Sequence, residues 1–522
     1  MAATHERLIG AQGAQLTRMI TACESADALL TLVQTRGTAF DSLHASAVLM
    51  RAAKLPTRTT DTQAGELAQT LAQMLRQHLP EMQVTELAHA LWAADTLGVA
   101  GDGFTDAILR RAVKKLPDLK PQELSSTAHV LAKLGHVDAA FMQELLVAAK
   151  QKLLGFMPTD LAKTAWAMGT LGHSDAAFME ALLVAAKRSL GSFSCQDLGN
   201  LIWAMASLGH VDAAFMRTLL VAAGPKLRNF NAIALADTAW AMATLDHYDA
   251  AFLGDLLQVA KLKLSSFKAR ELSNTAWALA MFEHRDPEFM RALMAAASPK
   301  LPSFDTHDLS NLVCAVAAFG PTDLQFVMAV VVTAKDKLHK FAAQDLANTA
   351  WALATLKYSD EAFMGALLAA AKPILSNFGP QALANMAWAL ATMDHDDKAF
   401  VSQLLHVTKL QLHRSNSQDL AATAWAIATL GQKDTWFMVA LMQSAKPKLM
   451  FFSPLGLVNM ASALANLGIR DTAFTDKLLE ASKAKLPTFT VANMLELQTA
   501  LAKMGLRDDA QTTLVAAAAR RR

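Results

Sequence analysis

The sequence predicts an all-α fold, a right-handed or gently twisted α-solenoid of twelve to thirteen two-helix repeats. Tryptophans at 92, 166, 203, 240, 277, 351, 388 and 425 are separated by 37 residues or twice that number, and His129, Cys314, Ser462 and Thr499 fill the remaining register positions. Composition agrees. Hydrophobic residues make up 53%, dominated by Ala, Leu and Met, whereas 23 Gly, 15 Pro and 2 Tyr leave few turn or strand formers. A chain of 522 residues ordinarily divides into several globular domains unless one repeating core runs its length.

In chain order, residues 1–39 are expected to form a helical cap over the first open face. Residues 40–81 form a degenerate first repeat centred on Met50 (FDSLHASAVLMRAAKL), set off by a five-residue insertion. Residues 82–522 hold twelve 37-residue repeats, the last truncated. With the Trp register as zero, the first helix of each repeat opens at −9 with a capping residue (Ser194, Asn231, Asp305, Ser453, Thr490). Pro121, Pro158, Pro380 and Pro454 take its first helical position, and an acid such as Asp160, Asp197 or Asp345 the third. It ends at Gly135, Gly172, Gly209, Gly431, Gly468 or Gly505, where a left-handed residue is wanted.

The second helix opens at +9, where eleven of the twelve repeats carry Asp, from Asp138 to Asp508. A carboxylate there accepts from the unpaired N–H groups of the first turn, so capping explains it without chemistry. The helix ends near +21, before Pro225, Pro299, Pro373 and Pro447. Phe at +12 (Phe141, Phe178, Phe215 and onwards) reads as core. Neither helix can bury its apolar face alone, so neighbouring repeats must stack in two layers.

Several functional classes are excluded or left without support. The 48 basic and 46 acidic side chains nearly cancel, so any basic surface must come from local arrangement. Cys23, Cys195 and Cys314 are too few and too far apart for a disulfide framework or zinc site, which favours a reducing compartment. The N-terminus lacks the apolar core of a signal peptide and resembles a transit peptide only weakly. The most apolar run, 326–334, is about half the length that crosses a bilayer. His residues at +7 (His136, His173, His210, His247, His284, His395) occur one per repeat, so they read as turn packing and no metal is expected. Without a Gly-rich phosphate loop, nucleophile elbow or paired carboxylates, neither an enzyme nor a cofactor is expected.

What remains is binding of an extended polymer along the stripe that the inner helices show to the concave surface. Positions −7, −3, 0 and +4 share one face of the first helix. Position −3 reads His89, Ser126, Lys163, Asn200, Asp237, Asn274, Asn311, Asn348, Asn385, Ala422, Asn459, Glu496. Position −7 reads Thr85, Gln122, Thr159, Gln196, Ile233, Arg270, His307, Gln344, Gln381, Gln418, Leu455, Ala492. Varying polar types in an otherwise monotonous repeat suit the edges of unpaired bases, as in modular readers of single-stranded RNA. The polar members of both sets, apart from Thr85 and Glu496, are the candidate RNA-binding residues. A buried amide ladder tying adjacent helices together is the other reading.

The Trp register lies on the same stripe, where a wedge between repeats is favoured over base stacking. Two further ladders are of Lys, at +21 (Lys150, Lys187, Lys261, Lys335, Lys372, Lys409, Lys446, Lys483) and at +23 (Lys115, Lys152, Lys226, Lys263, Lys300, Lys337, Lys448, Lys485). Both phosphate neutralisation and a solvated helix end complementing the dipole account for them.

Two-helix repeats of this length, with the consensus LANTAWALATLG in the first helix and FMxALLxAA in the second, resemble the octotricopeptide repeat family over residues 40 to 519. The segment ITACESADALLTLVQTRGTAFDSLHASAVLMRAAKL is similar to that family's N-terminal lead-in. The resemblance implies sequence-specific binding of single-stranded RNA, about one nucleotide per repeat, controlling the stability, processing or translation of organellar or related transcripts. It places the protein inside a cell, in chloroplast or mitochondrion or in a bacterial or host cytosol. A monomer is expected, off the membrane, with any protein partners on the convex face. Many relatives end in a RAP domain of nuclease-like fold; here Ala-Ala-Ala-Arg-Arg-Arg follows the last repeat, so nuclease activity is not expected. The alternative is an armadillo-like solenoid that binds an extended peptide or scaffolds a protein or ribonucleoprotein assembly. In such solenoids Asn follows Trp by four, whereas here it precedes Trp by three.

Overall fold

The computed structural model describes residues 13–55, 61–97, 104–135, 138–320, 323–395 and 397–505. Among these every regular element is an α-helix or a short 3₁₀ helix, and none is a strand. The helices fall into two compact units, Met1–Val259 and Ala260–Arg522. In the first, helix Ala26–Arg36 precedes the pair Ser42–Lys54 and Asp61–His78, which occupies the place of the degenerate repeat. First helices then recur as Val84–Thr96, Pro121–Leu134, Pro158–Leu171, Cys195–Ser207 and Ala232–Thr244. The second unit repeats the plan from Ala269–Met281 to Val491–Lys503.

The caps follow from local chemistry. Ser194, Asn231, Asp305, Ser453 and Thr490 each accept the backbone N–H three residues on, at 2.8 to 3.2 Å. The +9 aspartates from Asp138 to Asp471 accept from the N–H of the +12 Phe at 2.7 to 3.1 Å. Asp508 lies outside the described residues. Among the described residues, six first helices close on a left-handed glycine, while Asp246, Glu283, Lys357 and Asp394 adopt φ of 50 to 53° at the same register. The following amide then closes the turn, as in His173 N–H to the Met168 carbonyl (3.0 Å) and His210 N–H to that of Met205 (2.8 Å). This places the +7 histidines in turns, as their spacing suggests; His136 lies outside the described residues.

Small residues bring successive first helices together. Position −4 is Ala, Ser or Gly from Ala88 through Ala421, and it is buried throughout, so backbones approach closely over much of their length. Within each unit the first helices therefore form the tighter layer. The second helices meet their neighbours more sparingly and rest partly on the preceding 3₁₀ turn. That turn is a feature the periodicity did not announce. It follows each second helix, as in Leu153–Gly155, Leu190–Ser192 and Leu338–Lys340, and drives one Leu and one following Phe into the core (Leu190 5%, Phe193 1% exposed). A fully buried Phe contributes about 2–3 kcal/mol.

The 3₁₀ turn also separates the two lysine ladders. The +21 residues stay exposed, as for Lys150, Lys187 and Lys335. Six of those at +23 turn inward and donate to backbone carbonyls of the loop one repeat earlier. Lys152 reaches Leu119 O, Lys226 Phe193 O, Lys300 Phe267 O and Lys337 Phe304 O, each at 2.6 Å, and most reach a second carbonyl two residues upstream. Gln411, at the same register, donates to Phe378 O at 2.9 Å. These ammoniums staple consecutive loops, a role outside both readings of that ladder.

The two ladders therefore respond differently to the same change. Lys337→Met keeps the stem and removes the ammonium, and should cost roughly 1.5–3 kcal/mol in urea unfolding, as for hydrogen bonds to a charged group. Lys335→Met, in the same repeat, should stay within about 0.5 kcal/mol. At the helix C-terminus, Lys357→Gly relieves a left-handed non-glycine and should stabilise by about 1 kcal/mol, read as a raised melting temperature.

Candidate nucleic-acid interface

Helical spacing leaves one stripe of each first helix open to solvent, and it is the one the sequence singled out. Every −7 residue from Gln122 to Ala492 is exposed. The −3 residues His89, Ser126, Lys163, Asn200 and Asp237 in the first unit are half-buried, and so are Asn274, Asn311, Asn348, Asn385, Ala422 and Asn459 in the second; Glu496 is exposed. The zero register is half-buried from Trp92 to Ser462. Most repeats thus present an outer polar group, an inner polar group and an aromatic face in fixed order, the exceptions being Ile233, Leu455 and Ala492 at −7, Ala422 at −3, and Cys314, Ser462 and Thr499 at zero.

The indoles form runs. Trp166 and Trp203 lie 6.4 Å apart between ring centroids, Trp351 and Trp388 6.3 Å, and Trp388 and Trp425 6.2 Å, with interplanar tilts of 34 to 39°. His129 takes the indole's place beside Trp166 at 4.9 Å. Desolvation, then the charges of Lys133 and Lys163, hold its pKa below the usual imidazole value. A half-buried indole wedges between repeats with one part and remains accessible with the other, so the wedge accounts for only part of each ring.

The amides are partly bonded to one another. Gln344 Nε2 and Asn385 Nδ2 both donate to Asn348 Oδ1, at 2.9 and 3.2 Å. Asn311 Nδ2 donates to His307 Nε2 at 3.0 Å, and His307 Nδ1 donates to Asp345 Oδ1 at 2.9 Å. Thr159 Oγ1 donates to Asp197 Oδ2 at 3.2 Å. The ladder reading therefore holds locally, around Asn348, and two buried carboxylates at −6 are shared joints: Asp160 and Asp197 each accept a backbone N–H at the start of their own helix and a hydroxyl from the repeat before, Ser125 and Thr159 respectively. The sequence showed these acids only as caps, because their second partner comes from a different repeat.

Two family models match the chain. That of the RNA-editing substrate-binding complex 6 protein covers residues 184–398. That of the Tbc2 translation factor, N-terminal domain, covers residues 98–195 and 356–520, together just over half of the chain. The chain belongs to the Tbc2 N-terminal-domain family. No curated protein matches its sequence. A homology model of the full-length AP-3 complex in an intermediate open conformation aligns over 98% of this chain and 92% of that one, at 10% identity and a TM-score of 0.28, too loose a likeness to bear on function.

In these Tbc2-family repeats a few titratable groups of the first helices depart from their ordinary values. Burial pushes the Cys314 thiol up to about 12, and its Sγ donates to Asn348 O at 3.3 Å. Among the described residues no group of His, Cys, Asp and Glu could hold a metal ion, and no helix is long and apolar enough to cross a membrane. The most perturbed carboxyl is Asp308, raised to about 6 by desolvation and by the neighbouring charge of Asp305. His307 is raised by its hydrogen bond to Asp345. Asp308 folds with a proton that the unfolded chain sheds near its ordinary value of 3.8, so its contribution to stability is present at low pH and is lost as pH rises to about 6. Asp308→Asn should melt higher than the parent at pH 7, with the difference vanishing near pH 4; thermal melts at the two pH values check this.

Proposed function

We propose that the stripe binds single-stranded RNA in a sequence-specific manner, at about one nucleotide per repeat, and that the protein acts by binding without catalysing a reaction. The observation that carries the reading is the recurrence, in most repeats, of an exposed outer polar residue beside a half-open inner polar residue and a half-open aromatic ring. Stacking on half-open indoles is indifferent to base identity, whereas side-chain amides read base edges, so the two together supply both affinity and choice. The indole spacing of 6.2 to 6.4 Å is within the span of a single nucleotide of an unstacked strand. The matched families support it: one is named for an RNA-editing substrate-binding complex and the other for translation. The octotricopeptide-like repeat pattern supports it too, and with it a role in post-transcriptional control of organellar or related transcripts. Phosphate contacts fall to the exposed +21 lysines, since six of those at +23 are engaged within the fold.

Affinity for single-stranded RNA should fall steeply with salt, and duplex RNA, whose base edges are hidden, should bind far less well. Asn348→Asp tests the code within the same titrations. Its oxygen can still accept from Gln344 and Asn385 while its amide donor is lost, so the fold is retained. Selection from a randomised RNA pool should then show altered preference at one nucleotide, worth about 1–3 kcal/mol. No binding of RNA at low salt, with capture of an extended peptide instead, would replace this reading with an armadillo-like one.

A further inference from the structure

At the repeats of Trp425 and Ser462 the stripe departs from its register in four places at once. The −3 residue, Asn in the flanking Asn385 and Asn459, is Ala422. The next repeat's −6 residue, a buried carboxylate in Asp345 and Asp419 and alanine in Ala382, is Gly456, and its −7 residue is Leu455 where Gln344, Gln381 and Gln418 precede it. The last residue of the intervening 3₁₀ turn, glycine or polar at this register in every other repeat, is Phe451. Where side chains are missing the surface sinks into a cavity of about 380 Å³. That lies within the range of roughly 300–1,000 Å³ typical of small-ligand sites.

Its lining is mixed, with the Asp419 carboxylate and the aliphatic Leu455 set among aromatic faces and amides. Trp388 and Phe451 supply aromatic faces, and Asn385, Gln418 and Asn459 supply amides. Phe451 is 77% exposed, whereas its neighbour Phe452 is fully buried, so the core does not account for it. A planar heteroaromatic base satisfies aromatic faces and amides at once, its face on the rings and its edge on the amides. An apolar peptide side chain would leave the amides covered and unpaired, which is costly.

We propose that this hollow is a base pocket, in which one unstacked nucleobase of a bound RNA inserts beside Trp388, beneath Phe451, with its edge on Asn385, Gln418 and Asn459. It rests on the RNA-binding reading above and adds to it an anchor point, one nucleotide held more deeply than its neighbours.

The test uses the full chain and an RNA selected by it from a random pool, with an abasic nucleotide walked along the sequence and affinity read by fluorescence anisotropy. One abasic position should weaken binding by the parent about tenfold, the order of one stacked base. Ala422→Asn fills the hollow with the side chain that adjacent repeats carry, and Phe451→Ser gives the turn a residue found at that register elsewhere. Both should melt as the parent does, bind intact RNA about tenfold more weakly and lose sensitivity to that abasic position. If both bind intact RNA as tightly as the parent, the pocket is overturned and RNA binding stands. If the parent binds no single-stranded RNA at low salt, the RNA reading fails and the pocket with it.

Discussion

The close approach of successive first helices sets the spacing of everything that faces solvent. Alanine, serine and glycine at −4, with alanines around them, let backbones meet where leucines would hold them apart. Large side chains are kept for the other side, where Phe at +12, and the Leu and Phe of the 3₁₀ turn, fill the space between the layers. Within a unit the tight layer fixes how far apart the indoles stand, and hence the step of anything lying along them. A looser layer would still fold, but its polar groups would not recur at a polymer's repeat.

The period, the two helices per repeat and nearly every cap were legible in the sequence, because each rests on residues close together in the chain. Ser194 and its neighbours, the +9 aspartates and the left-handed glycines act on backbone groups within a few positions of themselves. The solvent-open stripe was legible too, since helical geometry converts spacing into a shared face. What could not be read was which groups meet across repeats. Lys335 and Lys337 look alike as basic residues at a helix end, yet only Lys337 reaches carbonyls some 33 and 35 residues earlier. The hollow near Ala422 was missed for a related reason: it is made by absences in two different repeats, and only Phe451, aromatic at a register that is otherwise glycine or polar, marks it in the sequence.

The stripe is neither wholly structural nor wholly open. Asn348 sits within an amide chain while Gln418 and Arg270 lie exposed, and the indoles divide each ring between neighbour and solvent. A surface built in this way is stiff before anything binds, since its inner groups are held by one another. Stiffness lowers the ordering cost of association and favours discrimination, because a misplaced partner cannot be accommodated by rearrangement.

The +23 staple bonds an ammonium to main-chain oxygens, which every repeat possesses whatever its side chains. A joint of that kind is indifferent to the identity of the repeats it joins. Repeats can therefore be duplicated, deleted or exchanged without redesigning the contact, and the exposed positions can change while the joint stays the same. At that joint the chemistry that links repeats is separate from the chemistry that varies along the stripe, so exchanging stripe residues leaves this joint as it is.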